Sequence, residues 1–278
     1  MIEADFSESQ LQQLVNISLV EKYKLEEALV LAPILISLNA ENKEGWDTAF
    51  NLKWLKKNTS KCHEGCNFFI QYKISNVLTS SGANEWKDWE RDYFRFKIPH
   101  KKKNSVGKYV DNYNQFNNLV GIAAKGFTVY YATNSTTDRK QLIQSFKTNK
   151  LLDTTPFLDV SDISGAHKHV TFTSDSTYFL LHSERQRISK STISRDRENM
   201  YSKKIRTMAE SSRSLLDYLS QRQNGDDGMV KEVESIRKYV EDDESGFTKE
   251  IKVQMRLSHV FRTYFDLEMH WISKENIV

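Results

Sequence analysis

Short segments in which apolar and polar positions alternate are spread over the first two thirds of the chain. Most of them are rich in aromatic and β-branched side chains, which predicts β-strands rather than helices. The segments predicted as strands are residues 46–55, 68–74, 92–98, 127–133, 170–173 and 178–182. The first two are separated by a polar turn, residues 58–67, and are expected to form an antiparallel hairpin.

Apolar residues at helical spacing occupy other parts of the chain. Helices are predicted at residues 7–36, with a break near residues 22–24, and at residues 114–125, 137–148, 232–240 and 248–271. Gly126 follows the second of these and is typical of a helix C-terminus. A basic loop is expected at residues 100–103, and strand patterns disappear after about residue 190. The pattern therefore predicts an α/β domain over residues 1–188 and a helical region over residues 189–278.

Composition excludes several classes of protein. The 278 residues contain 3 prolines and 10 glycines, so long disordered linkers are not expected. No apolar run approaches the roughly 18 residues that span a bilayer, and the N-terminus lacks the pattern of a signal peptide. We therefore expect a cytoplasmic protein without a membrane partner. Neither G-x-G-x-x-G nor a phosphate-binding loop motif occurs, which argues against nucleotide hydrolysis and dinucleotide chemistry.

Three polar residues on two adjoining predicted strands suggest phosphodiester chemistry. Gln71 and Lys73 are two residues apart, so both side chains share one face of their strand. Asp47, near the start of the preceding predicted strand, can reach the same face. A carboxylate and an amide oxygen suit Mg²⁺, which can activate water, and a neighbouring ammonium can stabilise negative charge.

These residues resemble a known enzyme superfamily. Gly45-Trp46-Asp47 followed by Gln71-Tyr72-Lys73 is similar to the G-x-D … Q-x-K variant of the PD-(D/E)XK nucleases, as in Mrr-like restriction nucleases. The segment LEEALV at residues 25–30 is similar to the helical glutamate segment of that group. The resemblance covers about residues 20–135 and includes a helix, Gly126 and a strand in the expected order.

The resemblance implies a fold, a cofactor and a set of site residues. The fold is a restriction-endonuclease-like αβββαβ core with a mixed sheet, followed here by a C-terminal helical region. The implied metal is Mg²⁺ or Mn²⁺, held by Asp47, Gln71, the Tyr72 carbonyl and either Glu26 or Glu27, with Lys73 positioning the attacking water. Many members have an acid where this chain has Gln71, which makes the helical glutamate more important.

Two functions follow from this resemblance. The first is a metal-dependent DNA endonuclease that cleaves double-stranded DNA, similar to the Cap-type and Lamassu-type effector nucleases of bacterial antiphage systems. Its partners would be regulatory subunits, an SMC-like ATPase among the candidates, or further copies of the chain. The alternative is a catalytically inactive nuclease fold that serves as a DNA-binding or scaffold subunit.

Other polar groups have both a functional and an ordinary interpretation. Lys101, Lys102 and Lys103 are candidate DNA-binding residues, although such a run is also typical of a solvated loop. Cys62 and Cys66 are either a fragment of a metal site or a reduced pair before a strand. His167, His169 and His182 lie on a predicted hairpin, but no strained nucleophile turn accompanies them, so a hydrolase triad is rejected.

Overall fold

The computed structural model of this chain describes residues 1–25, 64–192, 205–222, 226–241 and 247–273. It is a mixed α/β protein that divides into two compact units. The first unit comprises Met1–Ser18 and Ile70–Asn199, and the second comprises Leu19–Phe69 and Met200–Val278. The division between residues 188 and 189 that the sequence suggests stays a prediction of domain organisation.

The first unit is dominated by antiparallel strands. Its elements in chain order are the first part of α1 (Glu8–Leu25), the second part of β1 (Glu64–Lys73), β2 (Asn76–Leu78), α2 (Trp86–Trp89), β3 (Tyr93–Lys97), β4 (His100–Lys103), β5 (Tyr109–Asn112), α3 (Asn114–Ala124), β6 (Thr128–Thr133), α4 (Arg139–Lys147), α5 (Leu151–Thr154), β7 (Phe157–Asp159), β8 (His169–Phe172), β9 (Tyr178–His182) and β10 (Gln186–Ser189). A single 3₁₀ turn, Val160–Asp162, follows β7.

These strands form three sheets. One has the order β10-β9-β8-β3-β2, and each neighbouring pair in it is antiparallel. A second contains β1, β6 and β7 in that order, and β4 pairs with β5 in a separate two-stranded sheet. In the first sheet Phe94 lies opposite Phe172 and the two rings stack at 5.1 Å, which is the type of cross-strand aromatic pair that stabilises sheets.

The strand β6 lies in the core of the protein. All six of its residues are buried, so it has no solvated face, and the four residues between its two terminal threonines are apolar or aromatic. Helix α3 buries Phe116, Leu119 and Ile122, which are spaced three residues apart and so lie along one side. The chain leaves α3 through Gly126, whose φ of +82° is a left-handed conformation that glycine adopts without steric cost.

The second unit combines helices with the first part of β1. Its further elements are β11 (Arg206–Thr207), α6 (Met208–Ser220), α7 (Asp227–Glu241), α8 (Phe247–Phe265) and β12 (Glu268–Ser273). Both β11 and β12 pair with β1, the former antiparallel with Glu64 opposite Thr207. A capping box starts α6, in which the Thr207 hydroxyl accepts from the Glu210 amide and the Glu210 carboxylate accepts from the Thr207 amide.

The second unit contains a buried polar network around Asn67. The Asn67 amide nitrogen donates to Gln254 Oε1 at 2.9 Å and to the His270 carbonyl at 3.3 Å. The Ser211 hydroxyl donates to Asn67 Oδ1, and Gln254 donates in turn to the Ser212 hydroxyl. Because each of these polar groups is matched by another, the network satisfies the hydrogen-bonding demand of burial.

Aromatic packing surrounds this network. The rings of Phe68 and His270 stack at 4.8 Å, and Phe69 meets Phe261 edge to face at 4.9 Å. Phe68, Phe69 and Trp271 are fully buried. Burial of side chains of this size contributes about 2–3 kcal/mol each, so these rings account for a substantial part of the stability of the second unit.

Several expectations for the local structure were wrong. Helix α1 runs without a break through residues 22–24. Residues 64–67 of the predicted polar turn belong to the strand β1, and the expected basic loop at residues 100–103 is the strand β4. In β1 and β4 hydrogen-bonded pairing with neighbouring strands decides the conformation, and local polarity does not reveal such a partner.

The region after residue 190 also differs from its prediction. It contains the strands β11 and β12, and the helix expected to reach residue 271 ends at Phe265. Asp266 has a φ of +55°, which ends the helix and turns the chain into β12. Apolar residues around Leu267, Met269 and Trp271 fit either period, so the sequence pattern alone does not separate the two structures here.

Within the described ranges, the chain has no helix that is both long enough and apolar enough to cross a membrane.

Candidate nuclease site

The end of strand β1 carries the buried polar side chains of Gln71 and Lys73 on one face. Gln71 is 1% exposed and Lys73 is 6% exposed, although both are long polar residues that normally reach solvent. Their spacing of two residues places them on the same side of the strand, as the sequence predicts. Burying a lysine ammonium costs free energy unless nearby groups replace its water shell. The groups that contact the ammonium therefore indicate the function of the site.

Two side chains from other elements hold the Lys73 ammonium. Lys73 Nζ lies 2.9 Å from His100 Nε2, at the start of β4, and donates to Gln115 Oε1 at 2.8 Å, in the first turn of α3. His100 Nε2 also lies 2.5 Å from Gln115 Oε1. A ring nitrogen that carries hydrogen donates to Gln115, and one without hydrogen accepts from Lys73. The tautomer of His100 is therefore coupled to the orientation of the ammonium.

His100 and Gln115 were missed by the sequence analysis. His100 precedes three lysines and Gln115 lies within a helix, and no spacing rule connects either residue to Lys73. They lie 27 and 42 residues from Lys73 along the chain. Contacts over such separations depend on strand pairing and helix placement, which a single sequence does not specify.

Gln71 and Tyr72 contribute oxygen atoms of the kind that bind hard cations. The Gln71 amide nitrogen donates to the Tyr72 carbonyl at 3.3 Å, and the Tyr72 hydroxyl donates to Asn16 Oδ1 of α1 at 2.8 Å. The hydroxyl contact fixes the Tyr72 ring on the face of β1 opposite Gln71. Amide and carbonyl oxygens suit Mg²⁺ or Mn²⁺, but both are neutral, so carboxylates must supply the negative charge.

The carboxylates assigned from the sequence are Asp47 and either Glu26 or Glu27, and all three lie outside the described residues. Among the residues that the structure describes, no group of three His, Cys, Asp or Glu side chains comes together in a way that could hold a metal ion. The described donors therefore fit part of a divalent-metal site: two neutral oxygens beside a buried ammonium.

The three candidate DNA-binding lysines lie next to His100 on β4, and they belong to a strand rather than a loop. All three are exposed. Lys101 forms an ion pair of 2.6 Å with Asp111 on the partner strand, and the Lys103 ammonium lies 5.4 Å from the centre of the Tyr109 ring. The run is thus presented on a paired β-hairpin that begins at the candidate site.

A second polar cluster lies on the larger sheet of the first unit. Glu85, just before α2, accepts from the Tyr93 hydroxyl at 3.0 Å and from Arg95 at 3.2 Å, and it lies 3.3 Å from His169. His182, directly opposite His169 in the sheet, lies 3.9 Å from Asp88. The segment between β2 and β3 therefore supplies the carboxylates that meet these histidines.

The protonation states in this cluster differ from those of an ordinary ion-pair network. Burial raises the pKa of the Glu85 carboxyl, but the Tyr93 hydroxyl and Arg95 more than offset it, so the pKa lies below its usual value. Burial, together with Arg95, lowers the pKa of His169, and burial lowers that of His182. At neutral pH an ionised Glu85 therefore faces neutral imidazoles. The cluster holds α2 against the sheet, and its His182 Nε2 lies 2.7 Å from the hydroxyl of Thr171, which is fully buried.

Cys66 is a core residue of β1. It is buried as a free thiol, and burial raises its pKa to about 12. Its sequence neighbour in the C-x3-C pair, Cys62, lies outside the described residues. For Cys66 the structure favours the interpretation as an ordinary core residue.

Comparisons with protein-family models, with curated proteins and with solved structures found no match to this chain.

Proposed function

We propose that this chain is a metal-dependent DNA endonuclease with a restriction-endonuclease-like αβββαβ core. The observation that carries the proposal is the buried Lys73, which shares a face of β1 with Gln71 and is oriented by His100 and Gln115. An ammonium held in this way is preorganised to stabilise charge that develops on a phosphate. The order α1, β1, α3, Gly126, β6 also agrees with the order of helix, strand, helix, glycine and strand on which the sequence resemblance rests.

In this proposal each residue has a separate task. Asp47, Gln71, the Tyr72 carbonyl and Glu26 or Glu27 hold Mg²⁺ or Mn²⁺, which when bound lowers the pKa of water and polarises the phosphate. Lys73 orients the attacking water and stabilises the negative charge. His100 and Gln115 keep the ammonium directed towards the site, so they act as positioning residues.

The direct test is cleavage of plasmid DNA by the purified chain. The wild-type protein is expected to nick plasmid with Mg²⁺ or Mn²⁺ and to stop when EDTA is added, whereas Asp47→Ala and Lys73→Ala are expected to be inactive. Lys147→Ala, at the exposed end of α4, is a matched control that should retain activity. Cleavage that is unaltered in both site variants would overturn the proposal.

One observation favours a non-catalytic alternative. Gln71, whose amide nitrogen donates to the Tyr72 carbonyl, occupies the position of a metal ligand. An acidic side chain at this position would bind the metal more strongly, because the glutamine oxygen is neutral. The chain would then be a nuclease fold retained as a DNA-binding or scaffold subunit. Calorimetric titration with Mn²⁺ separates the two functions, because a scaffold should show no heat of binding that depends on Asp47.

For the biological setting we propose an effector subunit of a bacterial antiphage complex, restrained by regulatory subunits such as an SMC-like ATPase or by self-assembly. The support is the combination of an enlarged nuclease core with a helical tail, which resembles the effector nucleases of such systems. Genes adjacent to the one for this chain provide the test. A neighbouring SMC-like ATPase, helicase or nucleotide cyclase is expected, and neighbours with unrelated metabolic roles would contradict this setting.

A further inference from the structure

The hairpin formed by β4 and β5 is an exposed basic feature of the described part of the first unit. Every residue from 101 to 110 is exposed, and residues 100–112 contain four lysines and one aspartate. The two strands pair with each other in a sheet of their own. Each strand has four residues, so the paired part is about 13 Å long at the usual rise per residue. A basic ribbon of this kind has the charge that complements a nucleic-acid backbone.

The two faces of this hairpin have different contacts. One face carries Lys101, Lys103, Tyr109 and Asp111, because residues in a strand alternate and these four are opposite each other in the register. Lys101 is paired with Asp111, and Lys103 lies over the Tyr109 ring. Lys101, together with the nearby Lys168, keeps the pKa of the Asp111 carboxyl below its usual value. The charged groups of this face therefore mainly contact other groups of the protein.

The opposite face is continuous with the candidate site. It carries His100, Lys102, Val110 and Asn112, which form two cross-strand pairs. His100 contacts the Lys73 ammonium, so the face that holds Lys102 is the one that begins at the site. In the described part of the chain Lys102 forms no ion pair, and its ammonium is exposed. If one phosphate of a nucleic acid lies near Lys73, the next phosphates along that nucleic-acid strand therefore come within reach of Lys102.

The tip of the hairpin is ordered by Asn104. The Asn104 side-chain oxygen accepts from the amides of Val106 at 3.1 Å and Lys108 at 2.9 Å, and the Asn104 amide donates to the Lys108 carbonyl at 2.9 Å. Gly107 has a φ of +77°, which closes the turn. Val106 projects at this tip and is 75% exposed. A tip with fixed geometry loses little conformational entropy on binding, which favours it as a recognition element.

We propose that the Lys102 face of the β4–β5 hairpin lies along a groove of duplex DNA beside the scissile phosphate, with Lys102 on the DNA backbone and the Val106 tip in the groove. The inference rests on the proposed nuclease function for its substrate. The major groove admits a two-stranded β-ribbon, and lysine contacts to phosphate supply affinity without sequence preference. Lys101, in contrast, is assigned no contact with DNA, because its ammonium is paired with Asp111 within the hairpin.

The test measures binding of a short fluorescein-labelled duplex by anisotropy in EDTA, so that the result does not depend on cleavage. In a series of salt concentrations, Lys102→Ala is expected to reduce the slope of log affinity against log salt by about 0.9, the loss of one phosphate contact. At fixed salt its affinity is expected to fall about 3- to 10-fold. Lys147→Ala is the matched control and should leave both quantities unchanged.

Each outcome has a definite meaning. An unchanged slope in Lys102→Ala, or a wild-type protein that binds no duplex, overturns the inference. Single-stranded DNA bound as tightly as the duplex, with the same loss in Lys102→Ala, also overturns it, because a groove would then not be needed. Duplex binding that depends on Lys102 in a chain that never cuts DNA would leave the hairpin assignment standing and count against the hydrolytic function alone.

Discussion

The two units contain buried polar clusters of opposite character. In the second unit Asn67, Ser211 and Gln254 bind one another in a network enclosed by aromatic rings. In the first unit the buried Lys73 is held by His100, which is itself exposed at the start of a basic hairpin. A network that is satisfied internally stabilises a fold, whereas a buried cation that leads to an exposed surface is suited to act on something outside the protein.

The largest effect that would test this contrast is on cleavage by Lys73→Met. Methionine keeps the length of the side chain but removes the charge, so the cleavage rate is expected to fall about 1000-fold, or about 4 kcal/mol of transition-state stabilisation. The free energy of unfolding is expected to change by less than about 1 kcal/mol, since the hydrogen bonds lost are offset by no longer burying a charge. Plasmid cleavage and urea denaturation provide the two measurements. A large loss of stability with unchanged cleavage would show that Lys73 is structural.

The next effect concerns the enclosed network. Asn67→Ala leaves the Ser211 hydroxyl and Gln254 Oε1 buried without the partner that Asn67 provides, so the free energy of unfolding is expected to fall by about 3 kcal/mol. Urea denaturation of Asn67→Ala, Ser211→Ala and the double variant measures the coupling between the two residues. Additive losses would mean that the hydrogen bond between them contributes nothing, and the contrast between the clusters would weaken.

A third effect appears in the dependence of stability on pH. Complete burial lowers the pKa of His270 from 6.5 to about 3, so the unfolded chain binds a proton that the folded chain does not. Stability is therefore full above pH 6.5 and falls as the pH decreases towards 3, by about 2.5 kcal/mol at about pH 4.5. His270→Phe can keep the stacking with Phe68 and should remove this part of the acid sensitivity. Thermal denaturation between about pH 4.5 and 7.5 compares the two proteins, and parallel pH profiles would contradict the assignment.

The smallest effect is expected at His100, which orients Lys73 without providing the charge. His100→Ala is expected to lower the cleavage rate about 10-fold, or about 1.4 kcal/mol, because the ammonium loses one of the groups that orient it. His100→Gln keeps a polar group for Lys73 and is expected to restore part of the rate. Equal rates in the wild type and His100→Ala would remove the positioning role.

Sequence patterns predicted much of the fold where local preference and tertiary environment agree. The strands β1, β3, β6, β8 and β9 consist largely of aromatic and branched side chains, and α3 and α4 carry apolar residues at helical spacing. The strands β4 and β12 were missed, since lysines on a solvated hairpin carry no local strand signal and the apolar residues after the long helix also fit a helical period.

The candidate site was predictable to a smaller extent. The shared face of Gln71 and Lys73 follows from the two-residue period of a strand, and the structure has both residues buried in β1. The contacts of His100 and Gln115 with Lys73 did not follow, because they depend on where β4 and α3 meet β1. The assignments of Asp47 and of Glu26 or Glu27 stay predictions, since these residues lie outside the described part of the chain.

The hairpin of β4 and β5 also bears on self-association. As a two-stranded sheet in the described part of the chain, it has outer edges whose backbone groups can pair with strands of other molecules. Lysines on such an edge oppose this pairing through mutual repulsion. Removal of all of them together would therefore favour aggregation as well as weaken any binding, so substitutions in this hairpin are best introduced one at a time and checked by light scattering.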